Sequence, residues 1–278
     1  MLSQMQNKNS GNRCLTYIPV PHLGYWVVQI CVSILEHFPA DILAPTLLLP
    51  RSFRAISSSV EVREAVPYPF PFRYASPILE SALSFRFKRA LANADPRNTI
   101  VYFWPLPPLS LVRYARERGF ITVREMINTC TQTAKVILDD AYARLGLRPA
   151  HTITDDLVRR EQTELSLHDY IFAPSPMVEQ SLIQTGVDPG KILRSSYGWL
   201  PSRFPPSVTE NSREGFRALF VGTICVRKGI PQLLAAWKKS GVSGELLLAG
   251  EVEASLRPLL APYLENHGVR LAGFVSDV

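Results

Sequence analysis

Residues 220–237 read FVGTICVRKGIPQLLAAW. An apolar strand end runs into Gly222, a short loop carries the basic pair Arg227 and Lys228, and Gly229 opens a segment where Ile230, Leu233, Leu234 and Trp237 recur at helical spacing. A buried strand, a glycine turn and an amphipathic helix form the repeating unit of a parallel sheet with crossover helices. Such a unit holds its cations and the helix amino end at the carboxyl edge of the sheet. Unpaired backbone amides, the helix dipole and mobile cationic side chains favour phosphate there. An ordinary strand-to-helix turn with two solvated cations has the same spacing, so the stretch alone leaves both readings open.

The same alternation extends through the chain. The runs CLTYIPV, DILAPTLLL, TIVYFWP, FITVREM, DYIFAP and KILRSS, then RALFVG, ELLLAG and VRLAGF, read as strands separated by helical segments, the α/β pattern of βαβ units with parallel sheets covered by helices on both faces. In the first helix, Trp26, Val27, Ile30, Cys31, Ile34, Leu35 and Phe38 share one face. The helix after DYIFAP has Ser175 placed to cap it, Pro176 at its first position and Gly186 at a left-handed stop. Residues 198–215, GWLPSRFPPSVTENSREG, carry three prolines and read as a linker, and the alternation restarts at Phe216. The expected organisation is a disordered start over 1–13, an amino-terminal domain over 14–197, the linker 198–215, and a carboxyl-terminal domain over 216–278. That last portion has three strands where a complete doubly wound domain has more, so it reads as cut off in mid-fold.

Composition bounds the function classes. At 46% hydrophobic and 19% charged over 278 residues the chain is globular, and 30 Lys+Arg against 24 Asp+Glu give a net charge of +6, which suits anionic substrates or headgroups. Cys14, Cys31, Cys130 and Cys225 show no CxxC spacing, which argues against a zinc site or a disulfide framework. With no signal-peptide layout and no spanning apolar run, the expectation is a cytoplasmic protein. No nucleic-acid-binding motif is present, so no nucleic-acid partner is expected.

From Asp169 to Val275, the succession DYIFAPSPMVEQSLIQTGVDPGKILRSSYG, FVGTICVRKGIPQLLAAW, LLLAG and VRLAGFV resembles glycosyltransferase family 4, the retaining nucleotide-sugar transferases of the GT-B fold; the likeness is looser before Asp169. The resemblance implies a GT-B architecture with a complete Rossmann-like amino-terminal domain and part of a second one, a UDP- or GDP-sugar donor, a glycan or lipid-linked acceptor, a donor diphosphate gripped by Lys228 with Arg227 beside it, and no metal or cofactor. Gly222 matches the family glycine after the strand, whereas the arginine that commonly follows it is Thr223 here. Gly250, Phe274 and Val275 fall at nucleotide-binding positions. The family's glycine-rich loop after the first strand is matched in PVPHLGYW by Gly24 alone; Tyr25 beside it is an acceptor-binding candidate.

His22, at the end of a strand, is a candidate for proton transfer or sugar binding, or else an ordinary surface-loop histidine. Where the family often has a histidine after its FITV-like strand, this chain reads REMINT, so Glu125 is the catalytic candidate and Asn128 an acceptor-binding one. Arg124 and Glu125 equally suit a simple ion pair at a strand end. The family's two glutamates separated by seven residues have no counterpart in the right setting: Glu117/Glu125 lies in the first half, and Glu245/Glu253 brackets the strand LLLAG. The chain as given is therefore expected to be impaired in transfer. In SALSFRFKRAL, Leu83, Phe87 and Leu91 share a helical face with Arg86, Lys88 and Arg89 around it, which suits either a peripheral contact with the inner membrane face or a plain surface helix. A non-catalytic acceptor-binding fragment and a nucleotide-sugar epimerase of the same fold are the alternative functions.

Overall fold

The computed structural model describes residues 12–24, 26–39, 41–65, 77–199 and 215–275; Tyr25, the start of the chain to residue 11 and most of the proline-rich linker lie outside the described residues. The chain divides into two compact units, Met1–Thr131 with Thr154–Tyr197, and Gln132–Ile153 with Gly198–Val278.

The first unit contains β1 (Asn12–Tyr17), α1 (Trp26–Glu36), β2 (Leu43–Leu49), β3 (Glu61–Glu64), α2 (Pro77–Ala92), β4 (Thr99–Phe103), α3 (Leu109–Glu117) and β5 (Ile121–Glu125). After α4 (Thr131–Arg144), it continues with α5 (Asp155–Leu167), β6 (Tyr170–Ala173), α6 (Pro176–Gln184) and β7 (Ile192–Arg194). Among the described residues its seven strands are all parallel, in the order β3-β2-β1-β4-β5-β6-β7. The order reverses between β1 and β4, the switch point at which doubly wound sheets open a crevice beyond their carboxyl ends.

Burial on both faces explains the near-continuous apolar strands. Leu15, Tyr17, Val101 and Phe103 point to one face under α2 and α3, while Cys14, Leu47, Leu49 and Tyr102 point to the other under α1. On α2, Leu83, Phe87 and Leu91 are buried as their spacing requires. Ser175 Oγ accepts from the Val178 amide at 3.3 Å, and Gly186 is left-handed at φ 91°, so α6 starts and stops where its sequence indicates.

Three expectations are corrected, and one strand the sequence did not announce is added. Asn12 and Arg13 are strand rather than disordered start, paired with Leu43 and Ala44 of β2. The buried stripe of α1 runs through Val28, Cys31, Val32 and Leu35, and Ile30 is exposed, a rotation of the face read from the sequence. The edge strand β3, with sequence EVRE, lacks the apolar alternation that would have announced it. Residues Gln132–Ile153, assigned from sequence to the amino-terminal domain, group with the second unit because Leu138 and Tyr142 are buried in that unit's core.

The second unit adds β8 (Phe216–Val221), α7 (Ile230–Ser240), β9 (Gly244–Ala249), α8 (Arg257–Asn266) and β10 (Val269–Gly273), with parallel strand order β10-β9-β8. Leu246, Leu248 and Val269 meet Ile230 and Leu234 of α7 and Leu260 of α8 in one core.

Candidate functional site

The carboxyl ends of β8, β9 and β10 form one edge. Gly222 donates its amide to Ala249 at 2.9 Å and Gly250 donates to Gly273 at 2.7 Å, so Gly222, Gly250 and the Phe274–Val275 pair follow three adjacent strand ends. This edge gathers the residues that the sequence singled out in the second half. Beyond it the β8 and β9 loops pair: the Ile224 amide donates to Glu251 at 2.8 Å, the Glu253 amide donates to Ile224 at 3.0 Å, and Ile224 and Val252 form a parallel bridge.

The backbones approach too closely for a side chain at Gly250. A Cβ there would stand 2.0 Å from the Gly222 carbonyl oxygen, and its φ of +145° belongs to glycine. Cys225–Gly229 then forms a single 3-10 turn over Val226–Lys228, and Gly229, left-handed at φ 72°, opens α7 with no side-chain cap. Thr223, Arg227 and Lys228 are exposed around this uncapped helix start. Among the described residues, neither cation has a carboxylate partner within ion-pair distance. Two cations without carboxylate partners and an exposed hydroxyl beside the amino end of a helix suit a diphosphate.

On the first unit, the loops after β1 and β2 pair in the same manner. The His22 amide donates to Arg51 at 2.9 Å, the Phe53 amide donates to His22 at 2.8 Å, and His22 bridges Ser52. Gly24 turns at φ +88°, close to the Arg54 side chain. His22 is fully buried, with Nδ1 2.8 Å from Ser52 Oγ and Nε2 3.0 Å from Gln29 Oε1. It is therefore no surface-loop histidine. A proton-transfer role would require one of those bonds to open.

Glu125, at the end of β5, is 3% exposed. Its carboxyl meets the Tyr102 hydroxyl at 2.5 Å and the Tyr197 hydroxyl at 3.0 Å, and Tyr197 Oη also lies 2.9 Å from the Met126 carbonyl oxygen. Two phenols supply two protons for these three contacts. Both hydroxyls are placed to donate to the carboxyl, and the Tyr197 proton is shared between Glu125 and the Met126 carbonyl. Burial pushes the Glu125 carboxyl above the usual range, against the pull of the two tyrosine hydrogen bonds and of Arg124. Asn128, three residues on, is exposed.

Arg124 does not pair with the Glu125 carboxylate. Its guanidinium lies on the opposite face of β5, 2.6 Å from Glu164 of α5, and also donates to the Glu125 backbone carbonyl. His168 Nε2 lies 3.0 Å from the same Glu164. No local pattern links Arg124, Glu164, Tyr197 and Glu125 in the sequence, because 40 and 72 residues separate the contacting pairs. Among the described residues no three His, Cys, Asp or Glu side chains gather as a metal site needs.

No protein-family model and no curated protein matches the sequence. Solved structures do match its fold. The Anabaena protein HepE in complex with UDP and glucose superposes with a TM-score of 0.61 at 12% identity, over 96% of this chain and 70% of that one. WaaG, a glycosyltransferase involved in lipopolysaccharide biosynthesis, gives 0.55 at 13% identity over 95% and 70%. A putative UDP-N-acetylglucosamine 2-epimerase from Listeria monocytogenes gives 0.51 at 10% identity over 96% and 70%. The fold is the Rossmann-like α/β fold of the GT-B glycosyltransferases.

Proposed function

We propose that this chain is a nucleotide-sugar glycosyltransferase of the family 4 type, moving a sugar from a UDP- or GDP-sugar to a glycan or lipid-linked acceptor with retention of configuration. The observation that carries the reading is the carboxyl edge of the second sheet: Lys228 and Arg227 stand exposed beside the uncapped start of α7 and the glycine-permitted approach of the β8 and β9 loops. It is supported by the neighbour HepE, whose structure with UDP and glucose has the same fold. In this reading the two cations and the α7 amides neutralise charge on the departing diphosphate, and no metal or cofactor is required of them. Gly250, Phe274 and Val275 flank the nucleotide, while Asn128 and Gly24 belong to the acceptor and donor sides of the first unit. Tyr25 lies outside the described residues.

Calorimetric titration of the full chain with UDP and GDP tests the reading. Lys228→Ala should weaken binding of the preferred nucleotide by about 1.5–3 kcal/mol, the scale of a charge-assisted hydrogen bond. No binding of either nucleotide, or an unchanged affinity in the variant, removes the diphosphate site. Incubation with UDP- and GDP-sugars then separates the chemistries, since acceptor-dependent nucleotide release is the expected result. Interconversion of the sugar without an acceptor would instead return the epimerase reading that the Listeria neighbour represents.

A further inference from the structure

We propose that Tyr142 of α4 is a positioning residue for the diphosphate loop, so that the segment Gln132–Ile153 acts as part of the donor site and not as a helix of the first unit's sheet. The inference rests on the donor reading above for its ligand, and on the following contacts for its geometry.

The α4 amino end is fixed by Glu161 of α5, whose carboxylate accepts from the Thr131 amide at 2.5 Å and the Thr131 hydroxyl at 2.7 Å. From Gln132 onward the helix counts with the second unit, where Leu138 and Tyr142 share a core with Ile224, Val226 and Leu256. The segment returning from α4 is held to it as well. Asp139 accepts from His151 Nε2 at 2.8 Å, and His151 Nδ1 accepts from the Ile153 amide at 3.2 Å.

At the end of this buried ring the Tyr142 hydroxyl stands 2.8 Å from both carboxylate oxygens of Glu253, which also accepts from Ser255. Burial and the adjacent Glu253 carboxylate hold the phenol above its ordinary range, which keeps it a donor. Glu253 carries the connection onward through its backbone. Its amide bonds Ile224, Ile224 bonds Glu251, and Ile224 leads directly into Cys225 and the turn bearing Arg227 and Lys228. One phenol thus fixes the β9 loop, and the β9 loop fixes the position from which both cations project.

A hydroxyl so placed contributes where diphosphate binds and leaves the rest of the nucleotide untouched. Tyr142→Phe keeps the ring in its core and removes only the donor. Titration with UDP and UMP is therefore compared for the wild-type chain, Tyr142→Phe, Glu253→Gln and Lys228→Ala, with GDP and GMP replacing them if guanine is the preferred base. Expected is a roughly tenfold loss of diphosphate affinity in Tyr142→Phe, with monophosphate affinity within about twofold of wild type. Glu253→Gln, whose amide oxygen still accepts from Tyr142, should recover most of it. Equal affinities for the diphosphate in wild type and Tyr142→Phe, or equal losses for both nucleotides, overturn the proposal.

Amide hydrogen exchange without ligand separates this inference from the donor reading. Tyr142→Phe should accelerate exchange at Ile224, Lys228, Gly229 and Glu253, whose amides hold the two loops. Acceleration in a chain that binds no nucleoside diphosphate would sustain the loop positioning and defeat the donor assignment; unaltered exchange at these amides would defeat the positioning itself.

Discussion

The guanidinium of Arg124 and the carboxylate of Glu164 form an ion pair at 2.6 Å with both side chains 2% exposed, and His168 closes on the same carboxylate from four residues further along α5 and its end. A buried pair of this type adds little over a well-packed apolar substitute, but removing one partner strands the other charge. Glu164→Gln should therefore destabilise the first unit by about 3–5 kcal/mol in denaturant titration, whereas the double replacement Arg124→Met with Glu164→Leu should recover most of that loss. Equal costs for the single and double variants would contradict the assignment.

The same cluster sets an acid limb. Burial raises the Glu164 carboxyl, but Arg124 and His168 outweigh it and hold it below its ordinary 4.5, so its contribution is present above that value and lost as pH falls. Burial holds His168 below its ordinary 6.5, so protonation costs native stability from about that pH downward. Both signs point the same way. With Glu125→Gln removing the opposing titration of that raised carboxyl, stability should decline from near pH 6.5 toward pH 4, and a flat profile in that variant would count against the cluster.

Glu125 should behave in the opposite sense. Its carboxyl is raised in the folded state, so the native protein binds the proton more tightly than the unfolded chain, and stability falls as pH rises from the ordinary 4.5 through the folded value. Glu125→Gln keeps an acceptor for Tyr102 and supplies a permanent donor to Tyr197. As pH rises above 4.5 the wild type should lose stability that the variant keeps, so the variant's advantage should be larger at pH 8 than at pH 5. The check is denaturant unfolding at both pH values; a variant less stable at pH 8 would show that the carboxylate, not the acid, is the native form.

Gly250 and Gly241 provide a paired test in the second unit. Both have positive φ, but a Cβ at Gly241 meets nothing within 4 Å while one at Gly250 meets the Gly222 carbonyl at 2.0 Å. Gly241→Ala should cost about 1 kcal/mol, the backbone penalty alone. Gly250→Ala should cost more, because the β8 and β9 loops must separate, and nucleotide affinity should fall with it. Equal melting shifts for the two variants would remove the close approach from the account.

Most strands were legible along the chain because parallel strands covered on both faces are short apolar runs, and α6 was legible because Ser175, Pro176 and Gly186 each have a local backbone reason to be where they are. The consecutive apolar residues of WVVQICVSIL establish a helix but not its phase, so the buried stripe of α1 fell on Val28 and Val32 rather than Ile30. The loop residues Gly222, Arg227 and Lys228 were visible because they follow one strand directly. What fixes that loop was not: Tyr142 and Glu253 stand 111 residues apart, and only packing brings α4 into the second core. For His22 and Glu125 the residue types were suggestive, but their partners Ser52 and Tyr197 lie 30 and 72 residues away along the chain, and burial follows from such partners.

The outer side of α2 offers a test of peripheral lipid contact. Phe85 is 67% exposed and Ile78 69% exposed, Arg86 and Arg89 project beside Phe85, and a groove of about 1020 Å³ separates this helix from Arg63 on the β3 edge. Apolar side chains with arginines around them suit the interface of an anionic bilayer. Among the described residues no helix is long and apolar enough to cross a membrane, so contact through α2 would be peripheral. Lys88 is a poor probe, because its ammonium lies 5.4 Å from the Tyr114 ring centroid and its removal would disturb the packing of α2 on α3. Arg86→Gln with Arg89→Gln leaves that contact alone. Sedimentation with phosphatidylglycerol vesicles should be strong for wild type at low salt, weaker for the double variant, and reduced for both at 1 M salt, where the screening length shrinks to about 3 Å. Phe85→Ser should weaken the binding that remains at high salt. Equal sedimentation with phosphatidylcholine and phosphatidylglycerol vesicles would leave the arginines no electrostatic part in it and return α2 to an ordinary solvated helix.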